Sequence, residues 1–372
     1  MKNLDLIKQE YGNFIDSCHI QGKGFKLTTK SEISPYALCF AIFGKYLIGD
    51  HFFLDKHKEQ FNESLRKNLI QKRLECIDKL STSKPYLQLF TFTLSALKIL
   101  KCLNTDPLRE LTLEIIENKP INLLHNAGVF DGFPGTGNLA MFYGVLLIHA
   151  NENLNLNLNV EIDSWVNSHL SSMNENGFWG DAKSKFYLQF QNGYHQYEIL
   201  DYLGVSIGIN PAKLIIKLAD QDGLYAPYRG GGGCYDYDAV YMLTRSGENN
   251  NRLLLKTMDS LLNFRIIDNG FSESHFIRPR NLTNISSMIS HIAKSNHATF
   301  YERARFGFTL LRPKYNKIST HWSNYSREWN ESNLWDSWFR MLTISRIRIY
   351  NNYDSEENWG FINFPGIGHF KK

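Results

Sequence analysis

The chain has 372 residues, of which 43% are hydrophobic and 21% charged, and carries a formal net charge of +4. That balance belongs to a globular protein large enough for one sizeable core, and Lys and Arg spread along the chain give no dense basic tract of the kind that nucleic acid requires. Five scattered cysteines (Cys18, Cys39, Cys76, Cys102, Cys234) form neither a CxxC pair nor a disulfide framework, which suits a reducing compartment.

The opening Met1-Lys2-Asn3-Leu4-Asp5 lacks an apolar signal region, so a cytoplasmic location is expected. The apolar runs at 33–49 and 139–150 are broken by Lys45 or too short for a bilayer, so membrane contact is expected to be peripheral at most. Residues 1–110 read as helices without a clear turn glycine. Ser31-Glu32-Ile33-Ser34-Pro35 is a helix start with Pro near the first helical position, and 86–100 is an apolar helix. The alternating Asn and Leu of 151–160 imitate a strand, but Asn is a poor strand former, and the segment reads as a connector.

Beyond this point a repeat emerges. Asp131-Gly132-Phe133, Asn176-Gly177-Phe178, Asp222-Gly223-Leu224 and Asn269-Gly270-Phe271 place glycines at steps of 45, 46 and 47 residues, and Trp359-Gly360-Phe361 lies 90 residues past Gly270, two steps on. A period of this length marks a repeated supersecondary unit. Helical patterns at 162–173, 194–203, 211–220, 234–245 and 253–264 make the unit a hairpin: outer helix, Gly turn, loop, inner helix. The expected fold is all-α, an α/α toroid of about six hairpins in a single domain, with 120–365 as its repeat region and 1–110 completing or lidding the ring. A central cavity would be the active site.

The inner helices would present first-turn residues to that cavity: Asn138, Asn192–His195, Asp236–Asp238 and Trp335–Asp336. The densest candidate is Gly233-Cys234-Tyr235-Asp236-Tyr237-Asp238, where two carboxylates open an otherwise apolar helix. Acids there can simply complement the helix dipole. As a close pair facing a cavity, one would keep its proton and act as an acid. His195 is a candidate base. Asp336 and Arg340 stand one turn apart as an i,i+4 pair. Arg229 and Arg280 could clamp an anionic group, while Asn138, Asn192, Tyr197, Tyr235, Tyr237 and Trp335 would line the cavity. No metal site or cofactor is expected. The Gly230–Gly233 run lacks the Lys-Ser/Thr ending of a phosphate loop.

The turns Ala219-Asp220-Gln221-Asp222-Gly223-Leu224-Tyr225 and Met173-Asn174-Glu175-Asn176-Gly177-Phe178-Trp179-Gly180 resemble the Q-x-x-D-G-x-W turns of the terpenoid cyclase and protein prenyltransferase superfamily. Asp236-Tyr237-Asp238-Ala239 is similar to the D-x-D-D acid motif of class II terpene cyclases, with Ala239 in place of the last Asp. The resemblance implies that Asp238 protonates an alkene with Asp236 in support. The zinc ligands of the prenyltransferases do not map onto the chain. Two other readings stand beside this one. The first is a toroidal polysaccharide lyase or glycoside hydrolase acting on an acidic glycan, with Asp236 or Asp238 as general acid, His195 or another carboxylate as base, and Arg229 and Arg280 holding the acid group. The second is a non-catalytic helical-repeat scaffold.

Overall fold

The computed structural model describes residues 4–103, 107–117, 120–266 and 268–366. Among these the chain is mostly helical: fifteen α-helices, three short 3₁₀ turns and two small antiparallel hairpins. It divides into two compact units. One comprises the residues up to Phe53 together with Ala212–Gly360; the other comprises Leu54–Pro211 and the segment after Gly360. No described helix is long and apolar enough to cross a membrane.

The first unit opens with α1 (Leu4–Ser17), the hairpin β1 (His19–Ile20) and β2 (Gly24–Phe25), and α2 (Pro35–Leu47). Residues 1–110 therefore do contain a turn glycine: Gly22, at positive φ in the turn between β1 and β2. Ser34 caps α2, its hydroxyl accepting the Ala37 N–H, with Pro35 at the first helical position as the sequence predicts.

After α3 (His51–Glu75), the second unit contains α4 (Lys84–Ile99), α5 (Leu108–Ile116), α6 (Pro120–Asn126), α7 (Gly137–Asn153), α8 (Asn159–Ser171) and α9 (Phe186–Tyr202). The connector predicted at 151–160 shrinks to the residues between α7 and α8. Helices α4, α7 and α9 pack in that order and are enclosed almost all round; the mainly apolar sequences of α4 and α7 require this, whereas α9 also buries Gln189, Asn192, Gln196 and Glu198. By contrast, α8 buries only Trp165 and His169.

The first unit resumes with α10 (Ala212–Leu218), α11 (Gly233–Arg245) and α12 (Asn251–Asn263). The apolar face of α12 is Leu254, Thr257, Met258, Leu261 and Leu262, the spacing of an amphipathic helix on a core. Next come α13 (Leu282–Ala293), α14 (Phe300–Leu310), the hairpin β3 (Ile318–Thr320) and β4 (Ser323–Arg327), and α15 (Leu334–Tyr350). Helix α15 is enclosed and lies between α11 and α2.

The Gly turns have one local mechanism. Asn174 Oδ1 accepts the N–H groups of Asn176 and Phe178, and Asp220 Oδ1 accepts those of Asp222 and Leu224. The side chain closes the turn, and Gly177 and Gly223 take the positive φ that follows. The fourth turn differs: Asn269 carries the positive φ, and Gly270 is needed because a Cβ would meet Ser332 and Phe14 at 2.7 and 2.8 Å.

Two further expectations are corrected. The interval from Gly270 to Gly360 does not hold two repeats. It holds α13, α14 and the β3–β4 hairpin, and Trp359-Gly360 follows α15, with the Gly360 N–H donating to Leu47 O. Helix α9 begins at Phe186 rather than near Tyr194, so Asn192 and His195 sit in its second and third turns. Gly193 lies inside α9 because a Cβ there would be 2.0 Å from the Phe178 ring.

Candidate functional site

The site grows from the start of α11. A Cβ on Gly231 would strike the Tyr228 ring at 1.9 Å, and one on Gly233 would sit 3.1 Å from an Asp336 carboxyl oxygen. The glycine run thus brings the first turns of α11 and α15 together, a packing role rather than a phosphate cradle. Asn333 caps α15, its side-chain oxygen accepting the Asp336 N–H at 2.9 Å.

Where the two helix starts meet, charged side chains are buried. Asp236 Oδ1 accepts the Tyr225 N–H at 2.9 Å, and its Oδ2 lies 3.9 Å from Arg340 Nη1. Arg340 Nη2 donates to the carbonyls of Gly230 (3.0 Å) and Glu273 (3.1 Å). Arg327, from β4, reaches Glu273 at 3.4 Å and Asp336 at 3.5 Å. Asn333 donates to Asp336 Oδ2 at 2.6 Å, and the Tyr228 hydroxyl donates to Glu273 Oε1 at 2.7 Å. The i,i+4 pair expected of Asp336 and Arg340 is thus replaced: Asp336 takes Arg327, and Arg340 takes Asp236.

Burial dominates the proton affinities. It raises Asp236 to about 8, with Arg340 pulling the other way. Burial together with the charge of Asp336 raises Glu273 to about 7 against Arg327. Cys234 is only partly exposed, and its thiol is pushed well up, first by burial and then by Asp238, Glu273, Asp336 and Asp236. The charges of four carboxyl groups therefore bear on one cysteine.

Asp236 and Asp238 lie on different faces of α11. Two residues apart on a helix, they point about 200° apart. Asp236 feels Arg340, Asp220 and Glu273, whereas Asp238 lies one turn from Cys234 on its face. The two acids that share a cation are Glu273 and Asp336, bridged by Arg327. Glu273, Arg327, Tyr228 and Asn333 were not singled out from sequence. The available signal was Glu273 itself, an acid three residues after a turn glycine where the other turns carry Gly180 and Ala226.

An aromatic cluster adjoins these residues in the same unit. Trp335 packs against Trp322 (4.4 Å between ring centroids), Phe339 (4.5 Å) and Phe40 (5.0 Å), and Phe339 leads to Tyr237 at 5.7 Å. Tyr235 is partly exposed beside Gly232. Arg229 is held by Asp222 at 2.9 Å and by Ser287, over the ring of Phe276. Arg280 is exposed and donates to Asn316 at 2.8 Å.

The remaining predicted residues belong to the second unit. Tyr197 donates to Gly177 O at 2.7 Å and closes that turn. Asn192 donates to the carbonyls of Gly132 (2.9 Å) and Phe133 (2.8 Å) and accepts the Gly135 N–H (3.1 Å). These bonds pin the loop before α7, where Asn138 is partly buried. Asn192→Ala should therefore lower stability by about 2 kcal/mol, measured by denaturant unfolding. His195 keeps part of its surface in solvent, but its Nδ1 is closed off, and burial lowers the imidazole to about 3. Such a neutral ring is a weak base.

A cavity of about 720 Å³ opens in the second unit among α5, α6, α7 and α8, lined by apolar residues such as Leu113, Ile116 and Leu147. None of the predicted site residues lines it. Among the described residues no group of three or more His, Cys, Asp or Glu is arranged to hold a metal ion. No protein-family model matches the chain, and neither a curated protein nor a solved structure is significantly similar to it.

Proposed function

We propose that the chain is an enzyme of α/α-toroid type that starts an isoprenoid cyclisation by protonating an alkene. Asp238 is the donor, and Glu273 is the acid that restores its proton. The observation that carries this reading is a group of buried carboxyls, two of them protonated near neutral pH, beside a wall of aromatic rings. A carboxyl that keeps its proton is a general acid, and π faces stabilise the cation that results. Glu273 supplies the third acid that Ala239 leaves out of the motif.

The glycan reading loses its parts: Arg229 is neutralised by Asp222, Arg280 stands on the surface, and His195 is a weak base.

The test is turnover of a panel of linear isoprenoid alkenes and diphosphates. Asp238→Asn should cut cyclisation about a hundredfold or more, and the rate should fall as pH rises through about 7, where Glu273 gives up its proton. Unchanged turnover in Asp238→Asn, or unsaturated uronic ends appearing on acidic glycans instead, would remove the reading.

A further inference from the structure

The segment between the fourth turn and α15 has an unusual charge. Residues 278–317 contain eight Lys and Arg and a single acid, Glu302, in a chain whose net charge is only +4. Cationic character is therefore concentrated here rather than spread evenly, and Glu302 is buried, so the acid does not reach the surface.

The same segment exposes large apolar side chains. On α13 the exposed stripe is Leu282 (87% exposed), Ile285 and Ile289 (59%), at helical spacing. On α14 it is Tyr301 (66%), Arg305 and Phe308 (71%), followed just past the helix end by exposed Arg312, with aromatic and Arg alternating. The two helices form an antiparallel pair. Arg303 donates to Ser295 near the connection, a Cβ on Gly307 would meet Ile292 and Met288, and Arg278 donates to Leu310 O at the far end.

Taking Met288 and Gly307 as the lines of contact, Ile289 and Phe308 each follow by one residue, about 100° further round. In an antiparallel pair, equal rotations of the same hand bring both stripes to one side. The opposite side is fastened to the first unit, through Arg303 to Leu218 O, Asn296 to Lys217 O, and His291 beside Asp220.

We propose that the open side of the α13–α14 hairpin is a docking surface for an anionic lipid bilayer, with Leu282, Ile289 and Phe308 entering the headgroup boundary and Arg305 and Arg312 pairing with lipid phosphates. A basic amphipathic surface with exposed aromatics has the composition that lies in such an interface. The choice of a bilayer over a second copy rests on charge: a copy would bring the same cations against themselves. This proposal is independent of the proposed function.

Full-length protein mixed with vesicles should co-sediment with phosphatidylcholine–phosphatidylglycerol at least about tenfold more tightly than with phosphatidylcholine alone, and high salt should weaken the binding. Arg305→Glu with Arg312→Glu should reduce binding tenfold or more, as should Leu282→Ser with Ile289→Ser and Phe308→Ser. All five positions are exposed, so melting temperatures should not move. Absence of binding to either vesicle, or equal binding to both, would overturn the proposal. So would a dimer in solution that the three serine changes convert to monomer.

Discussion

Arg340→Met should lower the free energy of unfolding by about 3–5 kcal/mol, read from denaturant unfolding at neutral pH. Arg340 is enclosed, and three partners depend on it. The carbonyls of Gly230 and Glu273 lose their donor, and a buried acceptor without one costs about 1–3 kcal/mol. Asp236 loses the cation that opposes its burial. Methionine fills similar volume, so little of the effect is cavity. A loss below about 1 kcal/mol would mean that solvent reaches these groups.

The second large effect is in the pH dependence. The Asp236 carboxyl titrates at about 8 in the fold, against an ordinary value of 3.8. Between those values the folded chain holds a proton that the unfolded chain has released. Stability must therefore fall as pH rises through this window and level off above about 8. Glu273, raised from 4.5 to about 7, adds a slope of the same sign. Asp236→Asn keeps an acceptor for the Tyr225 N–H and removes the titration. Relative to the parent, the variant should gain on the order of several kcal/mol from about pH 5 to about pH 9. In Arg340→Met the decline should run to still higher pH. A difference between parent and Asp236→Asn that is flat with pH would show that Asp236 ionises normally.

The two regular Gly turns were legible because their chemistry is local. An Asn or Asp accepting two nearby N–H groups, followed by glycine, is written within four residues. The partnership of charges was not. Asp336 and Arg340 sit at ideal helical spacing, yet each turns to a residue far away in sequence, because Arg327 arrives from β4 and Asp236 from α11. Glu273 becomes an acid of interest only when Asp336 is beside it. Asn192–His195 read as the first turn of an inner helix, and Gly193 instead sits well inside one. A glycine is placed there because Phe178 needs the space a side chain would occupy. The α13–β4 insertion hides behind an interval that equals two repeat steps by coincidence of length.

The order of the chain also sets the order in which it can fold. The helices of the second unit lie between α3 and Pro211, so they can pack while synthesis continues. Helix α2 cannot complete its surroundings until α15, its neighbour in the first unit, has been made some 300 residues later. At roughly 5–20 residues per second, the apolar surface of α2 stays uncovered on the order of fifteen seconds to a minute. A nascent chain released before Tyr350 would carry that surface unburied, so truncation near the C-terminal end should yield aggregation and demand for chaperones, while the middle of the chain resists proteolysis.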